Sequence, residues 1–302
     1  MGKEIKLLFV TDIHGSDVVF KKAINAANMF KVNYLVFGGD LVGKGVFPLY
    51  KRGDKYYDVN NNLLTKDKLE EIKKNGFYVY ISEKENEIED FNEMTINKLY
   101  AEFVTQQLVS WFKLIEERLK DVKVIWNLGN DDPPFVDDVF KNNDIKFEEI
   151  VEIDSSSSPL YMLNCPYTNE TPYKSYRIVP EYTIYNKGYE LLRKVNETTN
   201  AIFNFHAPPY NTKLYLAYEN GQWVHVGSRS VRELEEKFQP LLGLHGHIHE
   251  SHAIDKIGKT TVINPGSEYT ERILKYALIT IIKEVKGLAA RYKLASNVIS
   301  KG

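Results

Sequence analysis

The chain has 302 residues, 43% hydrophobic and 26% charged, the composition of a folded globular protein rather than a disordered or fibrous one. With 39 basic and 41 acidic side chains its formal net charge is -2, so bulk charge does not draw it to a nucleic-acid backbone. Its single cysteine, Cys165, excludes an internal disulfide, the opening MGKEIKLLFVTDIHG has too short an apolar run for a signal peptide, and no stretch is apolar enough for a membrane span; a cytoplasmic protein without membrane contact is expected.

In chain order, IKLLFV (5–10) reads as a buried strand, stopped by TDIHG. Phe20, Ala23, Ile24 and Ala27 then recur at helical spacing between about 18 and 29, and VNYLVFGGD (32–40) gives a second strand ending at Asp40. Strand, helix and strand in this order predict a parallel sheet, with ligands at the carboxyl ends of its strands. Residues 43–98 break the rhythm and read as an insertion in one domain covering 1–302, suited to a lid or to a homodimer surface. A long helix over about 99–119 is expected to turn Leu99, Phe103, Leu108, Phe112 and Ile115 to the core. It feeds a strand within 122–134 that runs into Gly129-Asn130-Asp131-Asp132.

The second half alternates short strands with Gly, Pro and Asn turns, in 147–154, 159–167, 201–209, 240–249, 260–267 and 276–282. SVRELEEKFQ (230–239) predicts a helix capped by Ser230 with Glu233 completing a capping box. The C-terminal segment predicts a two-stranded hairpin turning near Lys286–Gly287. Polar residues collect at the strand ends. If these ends stay extended, Asp12 and His14 face one ion together, as do His247 and His249, which follow a glycine that lets the chain turn tightly. With Asp40, Asn130 and His206 this makes four imidazoles, two carboxylates and one amide carbonyl. That is too many donors for one tetrahedral zinc and suits two ions sharing a carboxylate.

The ordered set Asp12-x-His14, Gly39-Asp40, Gly129-Asn130, His206 and Gly246-His247-x-His249 resembles the calcineurin-like metallophosphoesterases, in particular their small prokaryotic branch. The resemblance implies an α/β fold, a four-layer αββα sandwich of two mixed sheets flanked by helices. It implies two divalent or mixed-valence ions, manganese, iron or zinc: Asp12, His14 and His249 on the first, Asn130, His206 and His247 on the second, and Asp40 as the bridge. It further implies hydrolysis of a phosphodiester or activated phosphate ester by a metal-bridging hydroxide, with Asp40, Asn130, Asp131 and His206 at the reaction centre. One departure stands out. The family commonly reads Gly-Asn-His-[Asp/Glu], whose histidine protonates the leaving oxygen, whereas this chain has Asp131 there, a poor acid beside two dications.

The expected substrate is a small phosphate ester or a nucleotide. Lys213, Arg229, Tyr210 and His252 are the leading contact candidates; Lys44, Lys51, Arg52 and Arg232 could also meet phosphate, and Tyr50, Tyr56 or Tyr57 could stack a base. The amino end of the helix near Val231 would favour an anion if it faced inward. His245 is read as packing or as support for the ligands, and Cys165 as a buried spectator. Two alternatives stay open: a nuclease or cyclic-nucleotide phosphodiesterase, the former disfavoured by the charge and by the acidic stretch 83–90, and a metal-bound scaffold with little activity.

Overall fold

The computed structural model describes residues 3–82, 92–145, 147–171, 174–214, 216–219, 222–286 and 289–302; the acidic stretch 83–90 and the hairpin turn at 287 lie outside them. In β1 (Lys3–Val10) Ile5, Leu7 and Phe9 form one buried row and Leu8 and Val10 the other. A strand apolar on both faces belongs at the centre of a layered fold. α1 (Asp17–Met29), capped by the Ser16 side chain, leads into β2 (Tyr34–Phe37), which pairs with β1 in parallel.

β3 (Gly45–Arg52), β4 (Lys55–Tyr57), β5 (Leu63–Leu64), α2 (Lys66–Lys74) and β6 (Phe77–Ser82) follow, their strands forming a separate sheet in the order β5–β4–β3–β6. After α3 (Glu93–Arg118) come β7 (Lys123–Ile125), α4 (Phe135–Asn142), β8 (Ile150–Asp154), β9 (Leu160–Cys165), α5 (Glu181–Leu192) and β10 (Ala201–Phe205). The remainder is β11 (Leu216–Glu219), β12 (Gln222–His225), α6 (Arg229–Phe238), β13 (Leu242–Leu244), β14 (Ala253–Ile257), β15 (Thr260–Asn264), β16 (Lys275–Lys286) and β17 (Ala289–Lys301).

Two mixed sheets, β17–β16–β1–β2–β7 and β14–β15–β13–β10–β9–β8, hold the expected α/β arrangement. Ile5, Leu7, Phe9 and Val36 from one meet Met162, Ile202, Leu244 and Ile263 from the other. The outer face of the first sheet is covered by α1, α3 and α4 through Phe20, Trp111 and Phe140, and that of the second by α5 and α6 through Ile184, Leu191, Val231 and Leu234. The C-terminal hairpin forms as expected, with β16 also antiparallel to β1. Among the described residues no helix is long and apolar enough to cross a membrane.

Several expectations need correction. α3 starts at Glu93, capped by Asn92, and buries Tyr100, Val104, Leu108, Trp111 and Phe112, while Leu99, Phe103 and Ile115 are only half-buried. α6 starts at Arg229 and is capped by Ser228, not Ser230. The capping box does not form because Glu181 of α5 takes its place, accepting the N–H groups of Arg229 (2.8 Å) and Ser230 (3.0 Å) and the Ser228 hydroxyl (2.6 Å). The helix amino end therefore already holds a carboxylate and does not offer an open anion site.

Phe20 ties α1 to sheet and α3 together, its ring stacked 4.1 Å from Trp111 and 5.7 Å from Phe37 and fully buried. Phe20→Ala is expected to destabilise the fold by about 3–5 kcal/mol, read as a lower urea midpoint with an unchanged slope.

Candidate metal centre

The loops that carry the polar residues cross at the carboxyl ends of the strands. After β1, the N–H groups of Asp12, His14 and Gly15 donate to the carbonyls of Gly39, Asp40 and Leu41 at 2.9, 3.0 and 2.8 Å. Asp12 (φ 55°), His14 (φ 41°), Asp40 (φ 50°) and His247 (φ 67°) all hold left-handed backbone, a conformation that costs an L residue on the order of 1–3 kcal/mol. The side chains are thus aimed by sharp bends rather than by strand alternation. Hydrogen bonds hold the bends in place. Thr11 Oγ1 donates to Asp12 Oδ2 (2.6 Å), both Asp12 oxygens accept the His247 N–H (3.0 and 3.1 Å), and Ser267 Oγ donates to the Asp12 carbonyl (2.6 Å). The chain does turn tightly here, Ile248 N–H donating to the Gly246 carbonyl (2.8 Å), but the left-handed residue of the turn is His247 and Gly246 itself does not adopt positive φ. It is needed for clearance: a Cβ would stand 2.1 Å from Thr11 Oγ1 and 2.5 Å from Asp12 Oδ2.

Asp40 stands between the two groups of histidines. Its Oδ1 accepts the Asp131 N–H (2.8 Å), while Oδ2 lies 3.3 Å from His206 Nε2 and 3.8 Å from His14 Nε2. His206 Nδ1 is 2.8 Å from the Gly38 carbonyl, which assigns the ring proton to Nδ1 and leaves the Nε2 lone pair for the centre. His14 Nε2 and His249 Nε2 are 3.1 Å apart, and His249 Nε2 is 3.5 Å from Asp12 Oδ1. The donor atoms gather as Asp12, His14 and His249, as Asp40, His206 and His247, and as an overlapping set of His14, Asp40 and Asp131, each within 4.8 Å. Donors for one or two metal ions are therefore in place.

The chemistry of these donors fits a metal. His14 Nδ1, Asn130 Oδ1 and His206 Nε2 are buried without a hydrogen-bond partner, an arrangement that costs about 1–3 kcal/mol per group unless something satisfies it. Burial pushes His14 down to about 3 and His247 down to about 4, keeping both rings in the neutral form that ligates. Burial opposes charge on His206 as well, but Asp40, Asp12 and the Gly38 carbonyl overcome it and raise the ring to about 10. Asp40 moves the opposite way: against burial, His206, His14 and the Asp131 amide hold its carboxyl far below the usual range. These opposed shifts show that the site favours positive charge.

The two adjacent aspartates have separate roles that the sequence did not distinguish. Asp132 is fully buried and accepts the N–H groups of Leu41 (2.8 Å), Val42 (3.0 Å) and Gly129 (2.8 Å), stapling the loop after β2 to the turn after β7. Burial, then the Asp40 charge, push its carboxyl up to about 7 against those amides. Asp131 is partly exposed, and its Oδ1 receives Asn130 Nδ2 (2.9 Å) and Ser175 Oγ (2.7 Å). Burial and the Asp40 charge raise its pKa too, a sign that nearby dications would reverse. Ser175 carried no sequence signal, because only the fold brings its loop to Asn130.

Among the substrate candidates, Lys44 interacts electrostatically with Asp131 and Asp40 of the cluster. Its Nζ sits 5.5 Å from the Tyr269 ring centre; burial disfavours its charge, but the Tyr269 hydroxyl, Asp131 and Asp40 raise its pKa. Arg229 stacks 4.7 Å over Tyr210. Lys213 is exposed and tied by its N–H to Asp255, and His252 is exposed with Nδ1 on the Pro265 carbonyl. Arg52 covers Tyr50 and Tyr57, which stack on each other in the separate sheet, and Arg232 is engaged by Glu236. That sheet also reaches the centre: Lys44 N–H donates to the Gly76 carbonyl (2.7 Å), and the Tyr78 hydroxyl accepts from Gly43 N–H and donates to Gln107, which donates to the Gly15 carbonyl.

Comparison with known proteins decides the family. The calcineurin-like phosphoesterase pattern matches residues 5–251, from β1 through the last histidine cluster. The chain belongs to the calcineurin-like phosphoesterase family. An uncharacterised protein of Methanocaldococcus jannaschii is 41% identical over 100 residues, a match covering 32% of this chain and 44% of that protein. The crystal structure of TT1561 from Thermus thermophilus, 14% identical, is similar over 97% of this chain and 99% of that one with a TM-score of 0.54. Another crystal structure, also 14% identical, covers 97% of this chain and all of that one at 0.58. These two share the fold. Family and donor cluster agree: the residues this family pattern spans are those whose side chains gather into the candidate metal centre.

Gly129 gives a test of the centre's tightness. A Cβ there would stand 2.3 Å from Asp40 Oδ1 and 2.6 Å from His206 Nε2. Gly129→Ala is expected to cost about 1–3 kcal/mol of stability and to lower the metal retained through gel filtration, measured by elemental analysis.

Proposed function

We propose that the protein hydrolyses a phosphodiester, or a phosphate ester with a good leaving group, using two divalent ions. Asp12, His14 and His249 hold the first, Asn130, His206 and His247 the second, and Asp40 bridges them. The observation that carries this reading is the position of Asp40, one oxygen pinned by a backbone amide and the other facing a histidine from each group. Ions bound there supply the acidification of water and the charge stabilisation that phosphoryl transfer needs. Their mixed nitrogen and oxygen donors suit manganese, iron or zinc.

The chain's own groups would do the rest. Gly38 fixes the His206 tautomer, and Asp132 holds the Asn130 turn in register with Asp40. Lys44, lying against Tyr269, is placed to meet a non-bridging phosphoryl oxygen. Tyr210, Arg229, Lys213 and His252 are the outer contacts for the rest of a small ester or nucleotide, and Lys44 with the sheet of β3–β6 forms a wall beside the cleft. The buried, unpaired Cys165 suits the reducing cytoplasm.

Asp131 sets the leaving-group preference. An ionised carboxylate donates no proton, so departure depends on how well the leaving oxygen bears charge alone. Protein purified without chelator should carry close to two metal equivalents, and Asp40→Asn should weaken both positions. Across esters of graded leaving-group pKa, wild-type kcat/KM should fall steeply with rising pKa at saturating Mn²⁺, while Asp131→His should recover the poor leaving groups more than the good ones. A flat wild-type profile with chemistry rate-limiting would overturn the role given to Asp131.

A further inference from the structure

His245 and Glu235 are both fully buried, and neither belongs to the donor clusters. His245 Nε2 lies 3.1 Å from Glu235 Oε1, while Nδ1 lies 2.8 Å from the Phe205 carbonyl and 3.0 Å from the Ala207 carbonyl. Those two carbonyls flank His206. The ring thus spans from α6 to the short stretch of backbone that presents His206 to the centre.

The surroundings are shaped for the pair. Gly243, in the middle of β13, lacks positive φ, so its backbone would accept a side chain. Space would not: a Cβ would stand 2.2 Å from Glu235 Oε1 and 2.6 Å from His245 Nε2. A glycine inside a central strand weakens it, and here its absent side chain is the room the pair occupies. Glu235 sits on the inward face of α6 beside Val231 and Leu234, with Oε2 lacking a partner. A buried ionisable pair is poor value for stability, and apolar residues of similar volume often serve better.

We propose that Glu235 and His245 are positioning residues for the second ion: Glu235 orients the His245 ring, and the ring fixes the two carbonyls that set the aim of His206. The proposal rests on the reading of His206 as a ligand of that ion, and it makes a distinction between two similar substitutions. His245→Asn keeps an N–H donor near the place of Nδ1, whereas His245→Gln moves the amide towards Nε2 and abandons the carbonyls.

The test is Co²⁺ titration of the metal-free full chain, followed by visible absorption, with His206→Ala identifying which of two binding steps belongs to the second position. His245→Gln should weaken that step by about 10–100-fold and leave the other unchanged. His245→Asn should stay close to wild type, and Glu235→Gln, which keeps an acceptor for the ring, should fall between them. Equal affinities for the Asn and Gln variants, or parallel weakening of both steps, would overturn the proposal. Failure of the wild-type chain to bind a second Co²⁺ would instead overturn the two-ion reading.

Discussion

Two buried carboxylates, Asp12 and Asp40, face the same histidine nitrogen, His206 Nε2, at 3.9 and 3.3 Å. Like charges this close and this dry repel strongly unless a positive charge lies between them. Much of the surrounding structure answers that demand. The left-handed bends at Asp12, His14, Asp40 and His247 bring donors inward, and Gly129 and Gly246 remove atoms that would obstruct them. Asp132 binds three amides to keep two of the loops in register. Strain of this kind survives only on a rigid base, which the two sheets provide.

Between the sheets, beneath the site, the apolar filling gives way to asparagines. Asn204 Nδ2 donates to Asn164 Oδ1 at 2.8 Å, and Asn127 Nδ2 donates to the Asn204 carbonyl at 2.8 Å. They stand where the sheet core meets the polar loops and occupy backbone groups that the strands leave behind as they end. Asn164 and Asn204 lie on the strand faces that elsewhere carry Met162 and Ile202. An amide at these positions therefore specifies where the hydrocarbon core stops.

Periodicity made the parallel strand–helix–strand start legible and motif spacing placed Asp12, His14, Asp40, His206, His247 and His249 at strand ends, both through short-range rules, while the two-sheet sandwich was legible only through the family resemblance. What escaped depends on contacts distant in sequence. Ser175 meets Asn130 only through the fold, Glu181 caps α6 from α5, and Glu235 reaches from α6 to His245 beyond the end of β13. Asp131 and Asp132 look equivalent in the sequence and differ because only one carboxylate turns towards the amides of Leu41 and Val42. The turn at Gly246 was legible, but the need for a glycine there was not. A side chain there would collide with oxygens of Thr11 and Asp12, which only the fold brings close.

The order of the chain has a consequence for biogenesis. β1 finds its parallel partner β2 within forty residues, but its other neighbour, β16, pairs Lys3 with Lys283. Two of the three donor sets close late in the chain. One contains His249 and the other His247, so neither is complete until the ribosome has passed the same three-residue stretch. The third, His14, Asp40 and Asp131, needs nothing beyond residue 131. His247 and His249 therefore reach their two clusters together, long after the Asp12, His14 and Asp40 they join.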